Sequence, residues 1–565
     1  MADLACQFHE SVQYDDTTQY LDPEERIRAL NEALTAIPDT QKMPELELSP
    51  LNWEITEAQV QQTLLLSKDG TAAGINGCPN KLWKKLKLHY DNARQINRNG
   101  FDIIKALTLL FWDIQLYGVD EHTNFMTGWM CPLFKKKDPT DIKNYHPITV
   151  LNTDYKFLTK VLALQLMESA DTLIHEDQAG FIPRRSIFNH IQLGKAILNY
   201  VEIVGEDGTI VALDQEKAYD CIYHDYLWKV LETFNIPAPF IKTVKALYSH
   251  AHTRVAINGI LSRPFHMSQG VRQGDPLSCP LFDLAIEPLA CLIRMNPNIH
   301  GLAIPCLPEN LKIKMFADDT DLYLNKYNCF DTVQETLDHW CAASGAKFNI
   351  EKTEIIPIGS VVHRDNVLLT RKLNQQDQSP LPDRIHIAKD GKAIQILGAW
   401  ISNKANNLTP WEPIIDKIRA TLKNWLKVCP SIEGKCQIIQ AFVGGYIQFL
   451  TQAQGMPLQI ETAINKIISN FIWDNGLGPR IAPEFLQQPK EKGGLNLLDI
   501  SACNKAIDLM WLKAFLDFSP SRPPWAVVTD LIVNTAALRL TIKQARKTPF
   551  LQCWNALSGG PKQLR

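Results

Sequence analysis

The sequence predicts an α+β fold, in which helical N-terminal and C-terminal parts flank a segment of strands with an antiparallel component. Three observations carry that expectation. Residues 61–200 are dominated by helical periodicity; within 154–167, Tyr155, Leu158, Leu162 and Leu166 fall on one face. From 205 to 325 the period switches repeatedly between that of a helix and that of a strand. After Asn407 the pattern is helical again.

In chain order, residues 1–60 are acidic and punctuated by proline, with a helical pattern at 24–37. The central segment reads as a strand ending at Asp214, helices at 226–234 and 241–250, and a strand at 254–258. A glycine-rich loop, a further helix and a β-hairpin complete it. A helix follows at 331–344, then short strands over 345–402 around a polar loop near 373–381. Thr409-Pro410-Trp411-Glu412 has the spacing of a capping box with proline at the first helical position. The helix it opens carries Ile414, Ile415, Ile418, Leu422, Trp425 and Leu426 as an inner stripe. Further helices are expected near 433–450, 458–474 and 501–518.

Composition narrows the function classes. With 45% hydrophobic and 21% charged residues, the 565-residue chain is ordinary globular material of several subdomains. A net charge of −3 gives no global pull toward nucleic acid, so any polynucleotide surface must be local. The 13 cysteines include no pair or Cys/His cluster at zinc spacing. The N-terminus lacks the pattern of a signal peptide, and the apolar stretch 438–450 is too short to span a bilayer. These features predict a soluble intracellular chain with no membrane partner.

The chemistry concentrates on acids. Asp318-Asp319 lies at the tip of the hairpin 311–324, between apolar strands containing Ile313, Met315 and Phe316 on one side and Leu322, Tyr323 and Leu324 on the other. An Asp-Asp pair is also an ordinary turn dipeptide. Asp214, however, ends another apolar run, 209–213. A strand that stops on an acid beside a hairpin bearing two more would suit a divalent-metal site for phosphoryl transfer.

Seven segments then occur in one order: Asn144–Asn152, Asp177–Ser186, Val211–Asp220, Ser268–Ser278, Phe316–Asp319, Ser344–Thr353 and Ile396–Gly398. Over roughly residues 65–520 the chain resembles the reverse transcriptase of non-LTR (LINE-type) retrotransposons. That resemblance implies a right-hand polymerase: helical fingers at 61–205, an antiparallel-sheet palm at 206–402, and a helical thumb at 403–475. An N-terminal extension (1–60) and a C-terminal helical extension (476–565) flank these parts. It implies RNA-directed DNA synthesis from dNTPs on an RNA template and a DNA primer, with two Mg²⁺ or Mn²⁺ ions held by Asp214, Asp318 and Asp319. Tyr219 would exclude a 2′-hydroxyl, while Gln269, Gly270, Lys135, His146 and Lys352 would face the nucleotide. Arg272, Gln273, Gly274, Leu397, Gly398 and Lys423 would contact template or primer. Lys135, Lys136, Lys137, Lys143, Lys156 and Lys160 make a local basic patch, and Lys417, Arg419, Lys423, Lys427 and Lys435 suit a thumb that grips the duplex. Asp220 is expected to be structural. Activity would place the chain at chromatin, hence in the nucleus, although no localisation run is evident.

Departures from the family pattern set a rival expectation. His146 and Gln165 stand where arginines are usual, and Asn76 replaces an aspartate. Two lost phosphate contacts would weaken nucleotide binding by about 1–3 kcal/mol each. The family's endonuclease and zinc knuckle find no match outside 65–520, so nicking of target DNA would need a separate endonuclease. The rival is a catalytically impaired remnant that binds nucleic acid or protein.

Overall fold

The computed structural model describes residues 1–14, 22–44, 51, 54–135, 137–305, 307–404, 406–473 and 481–537. Within them the chain is mixed helix and sheet, as expected. Lys136 and residues 538–565 lie outside the described set.

The strands are β1 (Thr127–Phe134), β2 (Tyr145–Val150), β3 (Gly208–Leu213), β4 (His252–Ile257), β5 (Ile260–Leu261) and β6 (Phe265–His266). They continue with β7 (Ile313–Phe316), β8 (Asp319–Asn325), β9 (Glu354–Ile358), β10 (His386–Ile387), β11 (Ile394–Ile396) and β12 (Ala399–Ile401). The central sheet has the order β10-β9-β3-β8-β7. Its β3–β8, β7–β8 and β3–β9 pairs are antiparallel, whereas β9 and β10 run parallel, so the sheet is mixed at one edge rather than purely antiparallel.

β3 is central because its run Thr209-Ile-Val-Ala-Leu is apolar on both faces. Val211 and Leu213 join Leu322, Leu324 and Ile355 against the helices His224–Thr233, Ser278–Met295 and Phe330–Ser344. Ile210, Tyr323, Ile356 and Ile358 pack on the opposite face with the helix Ile187–Val204 and with Trp525. A third core, built on Trp411, Ile418, Leu422, Ile439 and Ile464, belongs to the C-terminal helices.

Several expectations change. Residues 61–205 are not purely helical: β1 and β2 form a hairpin, and β1 pairs in parallel with β4 to join a second five-stranded sheet. That pairing is invisible to local periodicity because it joins residues more than a hundred positions apart. A helix, Val361–Thr370, interrupts the expected strands of 345–402, and the helix Ala2–Gln13 precedes the one expected at 24–37. Thr409-Pro410-Trp411 forms a 3₁₀ turn leading into the helix Glu412–Leu426, with no side-chain cap. Two prolines, at 410 and 413, occupy the entry and start it without a capping box. The capping box lies instead at Thr56–Gln59, where side chain and backbone bond reciprocally.

Candidate active site

The two-residue turn Ala317-Asp318 joins β7 to β8, with Phe316 opposite Asp319 in the register. Ala317 takes φ 56°, a left-handed conformation that costs a non-glycine residue about 1–2 kcal/mol. β8 pairs with β3 so that Leu213 faces Thr320, which brings Asp214 to the same end of the sheet as the turn.

Asp318 and Asp319 both feel the charge of Asp214. Burial raises the Asp318 carboxyl, and Asp214 adds to the effect, while Lys135 and Lys352 oppose it. Asp319 opens to solvent, yet the protein mass around it, with Asp318 and Asp214, pushes its carboxyl up to about 6. Crowded acids of this kind favour a compensating cation. Lys352 supplies one: its Nζ lies 2.7 Å from Asp214 Oδ2. The backbone places that lysine, since Asn349 N donates to the Asp214 carbonyl at 2.8 Å and Glu216 N to that of Lys347 at 2.8 Å. Lys135, exposed at the end of β1, also faces the acids.

Among the described residues no three His, Cys, Asp or Glu side chains converge into a ready-made metal cage. Mg²⁺ takes oxygen ligands and keeps several waters when bound. The donor set of Asp214, Asp318 and Asp319 is entirely hard oxygen, so the residues fit such an ion.

Tyr219 lies on the short helix Ala218–Cys221, half-buried, its ring stacked on Phe282 at 4.6 Å. Burial raises its phenol, followed by Cys279 and Asp318, which places the ring beside the acidic turn. Its carbonyl accepts from Val271 N at 2.7 Å, while Gly270 N donates to the Ile222 carbonyl at 2.7 Å. Gly270 has φ 76°, and a Cβ there would sit 2.5 Å from the Tyr219 carbonyl oxygen. Gly270→Ala should therefore destabilise the fold by more than about 1 kcal/mol in urea titration; a wild-type midpoint would contradict this close approach. Asp220 accepts from Gln273 Nε2 at 3.3 Å, and burial pushes its carboxyl up to about 6.

The remaining expected contacts divide. Gln273 is half-buried beside Asp220, Gly274 is exposed on the same loop, and His146 is exposed on β2. Leu397 and Gly398 form the β11–β12 turn, where a Cβ on Gly398 would meet the Phe449 ring at 3.0 Å, so this turn abuts the C-terminal helices. Lys423 is exposed on the helix Glu412–Leu426.

Two residues expected at the loop surface lie inward. Arg272 is 1% exposed; it donates to the Met126 carbonyl at 2.6 Å and sits over the Tyr155 ring. Gln269 is 5% exposed and donates to the Val12 carbonyl at 2.8 Å. Gln13 reciprocates, its Oε1 accepting from Ser268 N at 3.1 Å and Gln269 N at 3.3 Å. The N-terminal helix thus covers the start of this loop, a contact across 256 residues that no local signal announces.

Gln165 and Lys435 are corrected outright. Gln165 is 2% exposed, at 3.4 Å from Gln59, so the position lies between packed helices and does not face phosphate. Lys435 is 5% exposed and donates to the Ile472 carbonyl, inside the C-terminal core rather than on a gripping surface. Asn76 holds its turn by accepting from Cys78 N at 3.0 Å, and its own N–H donates to Asn152 at 3.1 Å.

The segment before Phe181 joins the central sheet. Met315 N donates to the Asp177 carbonyl at 2.8 Å and Ala179 N to that of Met315 at 2.9 Å, so this segment extends the edge of β7. The Asp177 carboxylate accepts from Lys314 at 2.7 Å and from Arg294 at 3.0 Å, with His175 at 2.8 Å. Burial alone would raise the Asp177 carboxyl, but these cations outweigh it and hold it well below the usual carboxylate range.

The end of the central sheet thus presents a strained acidic turn beside a strand-terminal aspartate, a set of hard oxygen donors. Residues 134–400 match the family model described as reverse transcriptase (RNA-dependent DNA polymerase). The chain is 28% identical over 401 residues to the Transposon TX1 uncharacterized 149 kDa protein of Xenopus laevis, covering 70% of this chain and 29% of that protein. It is 25% identical over 228 residues to the Retrovirus-related Pol polyprotein from type-1 retrotransposable element R2 of Popillia japonica, covering 40% and 31%. The type-2 element R2DM polyprotein of Drosophila melanogaster matches at 27% over 211 residues, covering 37% and 19%. The matched part thus spans less than a third of each of these relatives. Residues 134–400 are similar to a reverse transcriptase domain, and the relatives named are transposon and retrotransposable-element proteins. No helix among the described residues is long and apolar enough to cross a membrane.

Proposed function

We propose that the chain is an RNA-directed DNA polymerase that extends a DNA primer with dNTPs on an RNA template. The observation that carries this reading is the placement of Asp318 in the β7–β8 turn and Asp319 at the start of β8, close enough to Asp214 for its charge to raise both carboxyls. In this reading residues 61–205 are fingers, 206–402 palm, 403–475 thumb, and 476–565 a helical extension.

Asp214 and Asp318 would hold two divalent ions, Mg²⁺ or Mn²⁺, with Asp319 supporting them or contributing a ligand. When bound, such ions favour attack of the primer 3′-hydroxyl on the α-phosphate and stabilise the departing pyrophosphate. Lys135 and Lys352 oppose the acids' negative charge, and both suit contact with the triphosphate. The exposed Gly274 loop and Lys423 suit template and duplex backbone. Arg272 contributes by supporting the loop from below, since its guanidinium is engaged in the core.

Tyr219 braced on Phe282 forms a wall that a 2′-hydroxyl would strike. Tyr219→Val should reduce the preference for dNTP over rNTP on the order of a hundredfold, read as a ratio of kcat/KM values. An unchanged ratio would remove Tyr219 from this role.

The test of the whole reading is primer extension on poly(rA)/oligo(dT). Incorporation no greater than that of an Asp318→Ala control would sink it and leave the binding-only remnant. One ground for that remnant has weakened, because the buried Gln165 costs no phosphate contact.

A further inference from the structure

Gln178 is fully buried, and both ends of its carboxamide are engaged. Its Oε1 accepts from Ala317 N at 2.8 Å and from Gly180 N at 2.7 Å, and its Nε2 donates to the Ala317 carbonyl at 3.2 Å. Two N–H groups at one end and a carbonyl at the other leave a single satisfied orientation of the amide. The bonds converge on the one strained residue of the turn, Ala317 at φ 56°. The gripped carbonyl belongs to the peptide that joins Ala317 to Asp318, so the clamp fixes the plane from which the Asp318 side chain departs.

The surroundings are built for this grip. A Cβ on Gly180 would lie 2.3 Å from Ala317 N, so only glycine lets the segment approach. Gln178 and Met315 form a parallel bridge, and Arg185 Nη1 donates to the Gln178 carbonyl at 2.8 Å. On the preceding residue, Asp177 ties the same segment to Lys314 of β7 and Arg294. A purely structural glutamine could satisfy its amide on any neighbouring backbone. This one spends three hydrogen bonds on the turn and the glycine pressed against it.

We propose that Gln178 is a positioning residue of the phosphoryl-transfer site: its carboxamide locks Ala317 in the left-handed conformation and so aims the Asp318 carboxylate at a divalent ion. This inference rests on the metal-site reading of Asp318, and its test is separable from polymerase activity. Methionine matches the size of glutamine in a buried position and lacks both hydrogen-bonding ends.

The experiment measures Mn²⁺ binding to the full chain by electron paramagnetic resonance, and steady-state primer extension, for wild type, Gln178→Met, Ala317→Gly and the double variant. Asp318→Ala serves as the control for the site. Gln178→Met should weaken Mn²⁺ binding and lower kcat by about tenfold or more, with the dNTP KM within about twofold of wild type. Glycine adopts φ 56° without a clamp, so Ala317→Gly in the Gln178→Met background should recover most of both losses. The proposal is overturned if Gln178→Met keeps wild-type Mn²⁺ affinity, or if its losses are the same with glycine at 317. A wild-type protein that binds Mn²⁺ through Asp318 without extending a primer would sink the polymerase reading, and the Mn²⁺ measurements would still decide the role of Gln178.

Discussion

Primer extension is expected to fall on the order of 10³-fold in Asp318→Ala, the largest single effect on activity in this chain. Asp318 sits at the apex of the β7–β8 turn, where burial and the neighbouring Asp214 already raise its carboxyl. Alanine removes one of the carboxylates crowded at this end of the sheet. Asp319 leaves the turn in the strand register opposite Phe316, and Asp214 is held at the end of β3 with Lys352 upon it. The loss should fall on kcat, because the carboxylate's interaction grows as charge develops on the transferring phosphoryl group. Duplex binding should change little. Residual activity within tenfold of wild type would remove Asp318 from the chemistry.

The largest effect on stability is expected at Asp177. Its carboxylate is 10% exposed and faces Lys314 and Arg294, themselves 6% and 13% exposed. Asp177→Asn would leave buried Lys314 without its counter-charge and Arg294 with Glu287 alone, a change that costs about 3–5 kcal/mol in such settings. The folded-state pKa of Asp177 is depressed, so its contribution is present in full above the ordinary carboxylate range. That contribution fades as the pH falls below about 4, the unfolded value, toward the lower folded one. Wild-type stability in urea should therefore decline below about pH 4 more steeply than that of Asp177→Asn. Equal slopes would show that the cluster is not ionised as the geometry implies. Because Met315 N donates to the Asp177 carbonyl, the same substitution should loosen β7 and with it the acidic turn.

The acidic site was legible in the sequence because its parts are local. Asp318-Asp319 is a dipeptide between apolar strands, and Asp214 directly follows an apolar run, so spacing and hydrophobicity alone bring each acid to a strand end. The helices at 24–37, 226–234, 241–250 and 458–474 emerged within a few residues of their observed limits for the same reason. The β1–β4 pairing, the docking of Ala2–Gln13 on Ser268 and Gln269, and the burial of Arg272 and Gln165 did not emerge. Each depends on which distant segment covers a residue. A charged or amide side chain reads as a surface contact until its carbonyl partner, such as Met126 for Arg272, is known.

The sequence by itself determined where the acids fall, since Asp214 follows an apolar strand and Asp318-Asp319 sits between two others. Only the tertiary structure decided what aims them. Gln178 lies 139 residues before the carbonyl it grips, and Lys352 lies 138 residues after the carboxylate it meets. Chain periodicity specifies which faces are buried, whereas the closing of a polar contact across such a distance is set by the packing that remains once every apolar face has found its partner.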